Sequence, residues 1–185
     1  YWFKESAIAV SEKMGGGQRL PLKFAPSTAQ SIAVTITESI EISSRMNLKR
    51  GVDMARLGTA IHACIGTAVT DPSAPITVEE VATMMRQMGE GDSVVAGELY
   101  LQIMAFIRWY QQRWPDAVPY AEIPTEMRMQ NGQFLQGRID LLLKVSGGWI
   151  LFDHKSNPQG ASAWESVAQD NFGPLLAYKN AVELA

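Results

Sequence analysis

The chain has 185 residues, enough for one domain with a substantial core. Its hydrophobic content of 46% is globular, and its net charge of −3 argues against a free-standing nucleic-acid binder, which is usually basic. No apolar run reaches the roughly 18 residues of a membrane span, and no signal peptide is recognisable. The single Cys64 excludes an internal disulfide and a Cys-x-x-Cys zinc site, which favours a cytoplasmic location.

Residues 1–47 are predicted to form an N-terminal linker or extension. Gly15-Gly16-Gly17 interrupts this segment, and no Gly-Lys-Ser/Thr follows it, so it is not a phosphate-binding loop. Pro26-Ser27-Thr28 is compatible with the start of a short helix. Because the chain begins with Tyr1 rather than methionine, we expect it to be a piece of a longer polypeptide.

Apolar side chains at helical spacing then predict three helices, over residues 48–70, 77–89 and 93–113. Asp71-Pro72 should end the first helix. Thr77 and Glu80 have the spacing of a capping box, which should begin the second. Pro115 interrupts the pattern of the third.

The periodicity next predicts three strands, over residues 118–129, 133–145 and 149–156. Pro119 and Pro124 indicate that the first is an edge strand, and Gly173-Pro174 should introduce a last helix. This order predicts an α/β or α+β domain at residues 48–185, with a small mixed sheet flanked by helices and a helical elaboration on its N-terminal side.

Asp140, Asp153 and Lys155 are placed so that the predicted hairpin can bring them together. A two-residue turn puts all three on one face, because strand side chains alternate. Asp140 then faces Asp153 if the turn is Ser146-Gly147, and Lys155 if it is Gly147-Gly148. A three-residue turn would send Asp140 to the other face, but the glycine-rich tip favours two residues.

Two adjacent carboxylates repel each other, and a hard cation such as Mg²⁺ removes that cost. A lysine beside them can orient a water molecule or stabilise charge on a phosphoryl group. The alternative interpretation is a solvated ion pair on an exposed strand, which contributes little.

The residues of this hairpin also resemble a family pattern. Gly137-Arg138-Ile139-Asp140 followed by Asp153-His154-Lys155 resembles the PD-(D/E)XK nucleases, and specifically the RecB-like nuclease domain. Gly58-Thr59-Ala60-Ile61-His62 is similar to the helical Gly-Thr-x-x-His motif of that subgroup, and Ala121-Glu122-Ile123-Pro124 to its Glu-x-Pro strand. The resemblance covers about residues 56–184.

The resemblance implies a restriction-endonuclease-like core that binds Mg²⁺ or Mn²⁺. The implied ligands are three side chains and one backbone carbonyl: His62, Asp140, Asp153 and the carbonyl of His154. Lys155 matches the catalytic lysine, and Glu122 matches a functionally important glutamate that is a further candidate ligand. The ring of His154 is expected to face away from the site.

One position departs from the family. Its last motif is Gln-x-x-x-Tyr, but here Pro174 occupies the glutamine position while Tyr178, a candidate DNA contact, is present. Gln169 and Asn171 lie nearby in sequence. The chain stops at Ala185, where related domains add another strand, so we expect it to be truncated at the C-terminus.

The implied function is a metal-dependent DNA exonuclease, the C-terminal module of a UvrD-like helicase–nuclease of the RecB or AddA type that acts in double-strand-break repair and recombination. Helicase domains would deliver single-stranded DNA to it, which fits the absence of a strong basic charge. Two alternatives stay open: a catalytically impaired nuclease-like domain that binds DNA or supports assembly, and an independent phage-type exonuclease.

Overall fold

The computed structural model describes residues 21–29, 35–49, 51–71, 74, 76–129, 132–157 and 159–183. The predicted break at Gly15-Gly16-Gly17 and the proline at position 72 lie outside these residues. The chain divides into two compact units. The central unit comprises residues 38–123 and 140–159, and the terminal unit comprises residues 1–37, 124–139 and 160–185.

Three helices of the central unit match the predicted ones in place: α1 (Met54–Thr70), α2 (Val78–Gln87) and α3 (Ala96–Arg113). The first begins six residues later than residue 48, the expected start. Gly51 has φ +78°, a left-handed conformation that interrupts a helix. Asp53 is the N-cap, and its carboxylate accepts hydrogen bonds from the backbone N–H groups of Ala55 and Arg56.

The capping box predicted for the second helix is present. The Thr77 hydroxyl accepts from the N–H of Glu80, and the Glu80 carboxylate accepts from the N–H of Thr77 at 2.8 Å. The Thr77 N–H and the Thr77 hydroxyl both donate to the Glu80 carboxylate, and these two hydrogen bonds lower its pKa. The prediction for the start of this helix is therefore confirmed to within one residue.

Four strands form one mixed sheet: β1 (Lys23–Phe24), β2 (Val118–Arg128), β3 (Phe134–Val145) and β4 (Gly148–Phe152). The order is β1-β3-β2, and β4 pairs with the second half of β3. The β1–β3 pair is parallel and the β3–β4 pair antiparallel. A small mixed sheet with β2 at its edge confirms the predicted fold class.

Val145 pairs with Gly148, so the β3–β4 turn is Ser146-Gly147. This is the first of the two registers that the sequence left open, and continued by one residue it sets Asp140 opposite Asp153. The last strand is shorter than the predicted 149–156, because it ends at Phe152.

The core of the central unit lies between the three helices and the sheet. Leu141 and Leu143 of β3 are fully buried in it, together with apolar side chains from all three helices. The Cys64 thiol of α1 is buried there too, which raises its pKa to about 11. None of the described helices has both the length and the hydropathy that crossing a membrane requires.

Residues 38–48 run beside α3 without regular secondary structure. Glu38 pairs with Arg113 at 3.0 Å, the carbonyl of Ser44 accepts from Gln102, and the N–H of Asn47 donates to Glu98 at 2.9 Å. These contacts join the segment to three positions along one helix. Most of this stretch was predicted to be linker, and it belongs to the central unit.

The terminal unit contains β1, a 3-10 helix (Pro26–Thr28) and two further helices, α4 (Trp164–Asp170) and α5 (Phe172–Glu183). α5 packs against the 3-10 helix. Pro174 lies in the first turn of α5, as expected, where no intrahelical hydrogen bond is lost. The sequence did not predict α4.

Candidate active site

The candidate site residues of the central unit lie on four segments that the fold brings together. His62 projects from α1, Glu122 from β2 and Asp140 from β3, while Asp153, His154 and Lys155 directly follow β4. The helix and the strands therefore supply the side chains from a packed framework, which holds them in fixed directions.

His62, Glu122 and Asp140 form the centre of this group. Each offers a ligand atom, and these three atoms all lie within 4.8 Å of one another. The Nδ1 of His62 is 3.5 Å from Oδ1 of Asp140. One imidazole nitrogen and two carboxylate oxygens at this spacing suit a divalent metal ion. The structure thus brings Glu122, which the sequence suggested only as a further candidate, beside the two main ones.

The backbone at Glu122 is in an unusual conformation. Its φ of +55° makes it the only non-glycine residue with positive φ among those described. For a residue inside a strand this conformation costs free energy, and such strain concentrates at functional sites. Gly66 of α1 lies directly behind it, because a Cβ at Gly66 would sit 3.6 Å from Cγ of Glu122.

The sequence analysis did not single out Gly66. It follows His62 by four residues and so lies on the same face of α1. That spacing is the signal that would have associated it with the site.

The carboxylate of Asp140 is held in place and largely removed from water. The backbone N–H of His154 donates to its Oδ2 at 2.7 Å. Burial raises the pKa of Asp140 above the usual range, although this hydrogen bond and the nearby His62 act in the opposite direction. A buried carboxylate with a raised pKa gains strongly from a cation beside it.

The contacts of His62 are also those of a metal ligand. Its Nε2–H donates to the carbonyl of His154 at 2.9 Å, since a carbonyl oxygen only accepts. Its Nδ1 faces the oxygen of Asp140 at 3.5 Å. A metal at this position would take the lone pair of Nδ1 in place of a proton. The donor set therefore fits a divalent ion.

Asp153 and Lys155 form a close ion pair next to this group. The distance from Nζ of Lys155 to Oδ2 of Asp153 is 2.5 Å. The carboxylate is 9% exposed and the lysine side chain 40%, so the ammonium reaches from a buried partner toward solvent. The charge of Asp153 is one of the causes that raise the pKa of Asp140, although Asp153 is not one of the three clustered residues.

The expectation for the ring of His154 is wrong. It lies beside the site, with its centroid 5.7 Å from that of His62 and its Nδ1 3.8 Å from Oδ2 of Asp140. Strand alternation does not apply here, because β4 ends at Phe152. Phe106 of α3 packs edge-on against the ring at 5.3 Å, and burial lowers the pKa of His154 to about 4.

The last motif lies in the terminal unit. Tyr178 of α5 is 8% exposed, and its hydroxyl accepts a hydrogen bond from the N–H of Arg138 at 3.2 Å. The amide of Asn171 donates to the carbonyl of Val167, one turn earlier. Tyr178 therefore contacts the backbone of β3 at Arg138, two residues before Asp140.

Comparison with known proteins gives one clear relationship. No curated protein matches the chain significantly. The sequence profile of the PD-(D/E)XK nuclease superfamily, however, matches residues 40–185, which is most of the chain. The mixed sheet flanked by helices agrees with the restriction-endonuclease-like fold of that superfamily. This chain belongs to the PD-(D/E)XK nuclease superfamily.

Proposed function

We propose that the chain is a metal-dependent deoxyribonuclease domain that hydrolyses phosphodiester bonds. The observation that carries this proposal is the cluster of His62, Glu122 and Asp140 beside the Asp153–Lys155 pair, in a chain that belongs to a nuclease superfamily. Membership alone does not require a complete site, but the retention of these buried charges supports an active one.

The residues divide the work between binding and chemistry. His62, Glu122 and Asp140 would hold the cation. The family resemblance adds Asp153 and the carbonyl of His154, which here accepts from the Nε2–H of His62. Mg²⁺ or Mn²⁺ held there would supply positive charge to the scissile phosphate and would lower the pKa of a bound water.

Lys155 acts on the attacking water. Asp153 fixes the ammonium group at 2.5 Å, so that its remaining protons can orient a water molecule in line with the scissile bond. The same positive charge stabilises the negative charge that develops on the phosphoryl oxygens. The N–H of His154 keeps the carboxylate of Asp140 in one orientation.

The finer proposal is a RecB-like exonuclease module that receives single-stranded DNA from helicase domains in repair and recombination. Two observations support it: the Gly-Thr-x-x-His motif that carries His62, and the net charge of −3. An acidic module gains little affinity for DNA from phosphate contacts, so a partner that delivers the strand would compensate.

Cleavage of a labelled oligonucleotide tests the proposal. The wild-type chain with Mg²⁺ or Mn²⁺ should cut single-stranded DNA faster than a blunt duplex of the same sequence. Asp153→Asn should lower kcat by about 100-fold or more, because Lys155 loses the partner that positions it. Asp92→Asn is the matched control, since Asp92 is fully exposed and pairs only with Lys49 among the interactions described.

Circular dichroism should show that Asp153→Asn is folded. Equal cleavage rates for wild type and Asp153→Asn would refute the active site proposed here. A wild-type chain that binds DNA but cleaves none with either metal would favour the catalytically impaired alternative, with Pro174 at the glutamine position as its first explanation.

A further inference from the structure

Two aromatic side chains of the central unit are exposed next to each other. Tyr120 of β2 is 41% exposed and Trp149 of β4 is 47% exposed, and they are the only aromatic residues of the described part of the chain that are exposed. Their ring centroids are 5.9 Å apart at an interplanar angle of 60°. Val118, also exposed, lies two residues before Tyr120.

A lysine completes this surface. Lys144 is the register partner of Trp149, and its Nζ lies 5.9 Å from the centre of the Trp149 ring. It is the only charged residue between Leu141 and Phe152, so the paired part of the hairpin presents a positive charge and no acidic residue. We call Tyr120, Lys144 and Trp149 the aromatic platform.

Two aromatic rings in contact contribute to stability by themselves, but that role does not require both rings to be close to half exposed. Exposed rings combined with a cation are how proteins hold single-stranded nucleic acid, with bases on the rings and the backbone near the positive charge. Paired bases in a duplex stack on one another, so their faces are not available to these rings.

The platform lies on the strands that carry the candidate site. Tyr120 precedes Glu122 by two residues, and Trp149 precedes Asp153 by four. At roughly 3.3 Å per residue, Trp149 and Asp153 are separated by about 13 Å along the chain. A strand of a few nucleotides would span this separation.

We propose that the aromatic platform binds the bases of single-stranded DNA on its path to or from the candidate active site. This inference rests on the proposed function for the nature of the substrate. The stacking itself does not require catalysis, so it can be measured separately.

The test measures the affinity for an oligodeoxythymidylate of about 12 nucleotides, by fluorescence anisotropy in EDTA so that no cleavage occurs. Trp149→Leu keeps an apolar side chain but removes the ring face, and it should weaken binding about tenfold. Trp149→Phe should restore most of the affinity. Leu101→Ala removes a similarly exposed apolar side chain from α3 and should have no effect.

Two further measurements separate stacking from charge. Lys144→Gln should make the slope of log affinity against log salt concentration less steep, by the amount expected for the loss of about one phosphate contact. Affinity for a blunt duplex should be the same in wild type and Trp149→Leu. A difference of similar size for duplex and single strand would argue against stacking.

Failure of this inference differs from failure of the proposed function. If the wild type cleaves DNA and Trp149→Leu has the same affinity and the same KM, the platform is refuted and the nuclease proposal stands. The platform is also refuted if the wild type cleaves DNA but binds no single-stranded DNA in EDTA. That result would also be expected if the platform docks a protein domain. If the wild type cleaves no DNA but binds single-stranded DNA more tightly than Trp149→Leu does, the platform is supported and the nuclease proposal is refuted.

Discussion

Glycine at position 137 is required by a close approach of side chains in the terminal unit. A Cβ there would sit 2.7 Å from the hydroxyl oxygen of Tyr178 and 2.8 Å from Cγ of Pro26. The same hydroxyl accepts the N–H of Arg138. The glycine of Gly-Arg-Ile-Asp therefore lets α5 and the 3-10 helix rest on β3.

Gly137→Ala should consequently destabilise the protein by about 1–3 kcal/mol through overpacking. Urea unfolding followed by circular dichroism measures the change. Gly97→Ala, in the first turn of α3, is the control, because a Cβ there meets nothing within 4 Å. That substitution should leave the stability unchanged or raise it by up to about 1 kcal/mol. A similar loss in both variants would contradict the steric explanation.

At the residue scale, the sequence predicted the turn that aligns two of the candidate side chains but not the surroundings of the others. The predicted two-residue turn is confirmed, and it takes the first of the two registers that the glycine-rich tip left open, with Asp140 opposite Asp153. The ring of His154 was misplaced because a pattern of alternation does not reveal where a strand ends. The positive φ of Glu122 depends on what packs around it, such as Gly66, and no local pattern predicts it.

At the element scale, the helix starts show when a local signal suffices. The capping box of α2 is contained in four residues, and the sequence located it within one residue. The start of α1 was missed because the apolar spacing continues upstream from Met54 to Leu48. Gly51 and Asp53 determine the start of α1 instead, because the Asp53 cap satisfies two backbone N–H groups.

Removal of the α2 cap tests how much of the helix depends on it. Thr77→Ala should lower the free energy of unfolding by about 1 kcal/mol, because the N–H of Glu80 loses its acceptor. Thr83→Ala is the same substitution on the exposed face of the same helix, where the hydroxyl donates to the Glu79 carbonyl and accepts from the exposed guanidinium of Arg86. It should be neutral or slightly stabilising. Equal losses in urea unfolding would show that the cap contributes nothing special.

At the scale of the whole molecule, the sequence could not reveal which segments pack together. Each compact unit is assembled from separated stretches of chain, and such long-range contacts leave no periodic trace. Residues 38–47 read as linker because they form no helix or strand. Their hydrogen bonds to α3 come from residues more than fifty positions away in sequence.

The candidate metal site couples four segments of the central unit, so metal binding should stabilise the entire fold. Mn²⁺ at about 100 times its dissociation constant should raise the free energy of unfolding by about 2.7 kcal/mol, since it binds the folded state.

Glu122→Gln keeps the shape of a proposed ligand but removes its charge. If affinity falls about tenfold, the same Mn²⁺ concentration should stabilise this variant by only about 1.4 kcal/mol. Glu126→Gln, on the exposed face of β2, should retain the full effect. Urea unfolding with and without Mn²⁺ provides the measurement. A full effect in Glu122→Gln would exclude Glu122 from the ligand set and leave His62, Asp140 and Asp153 to hold the ion.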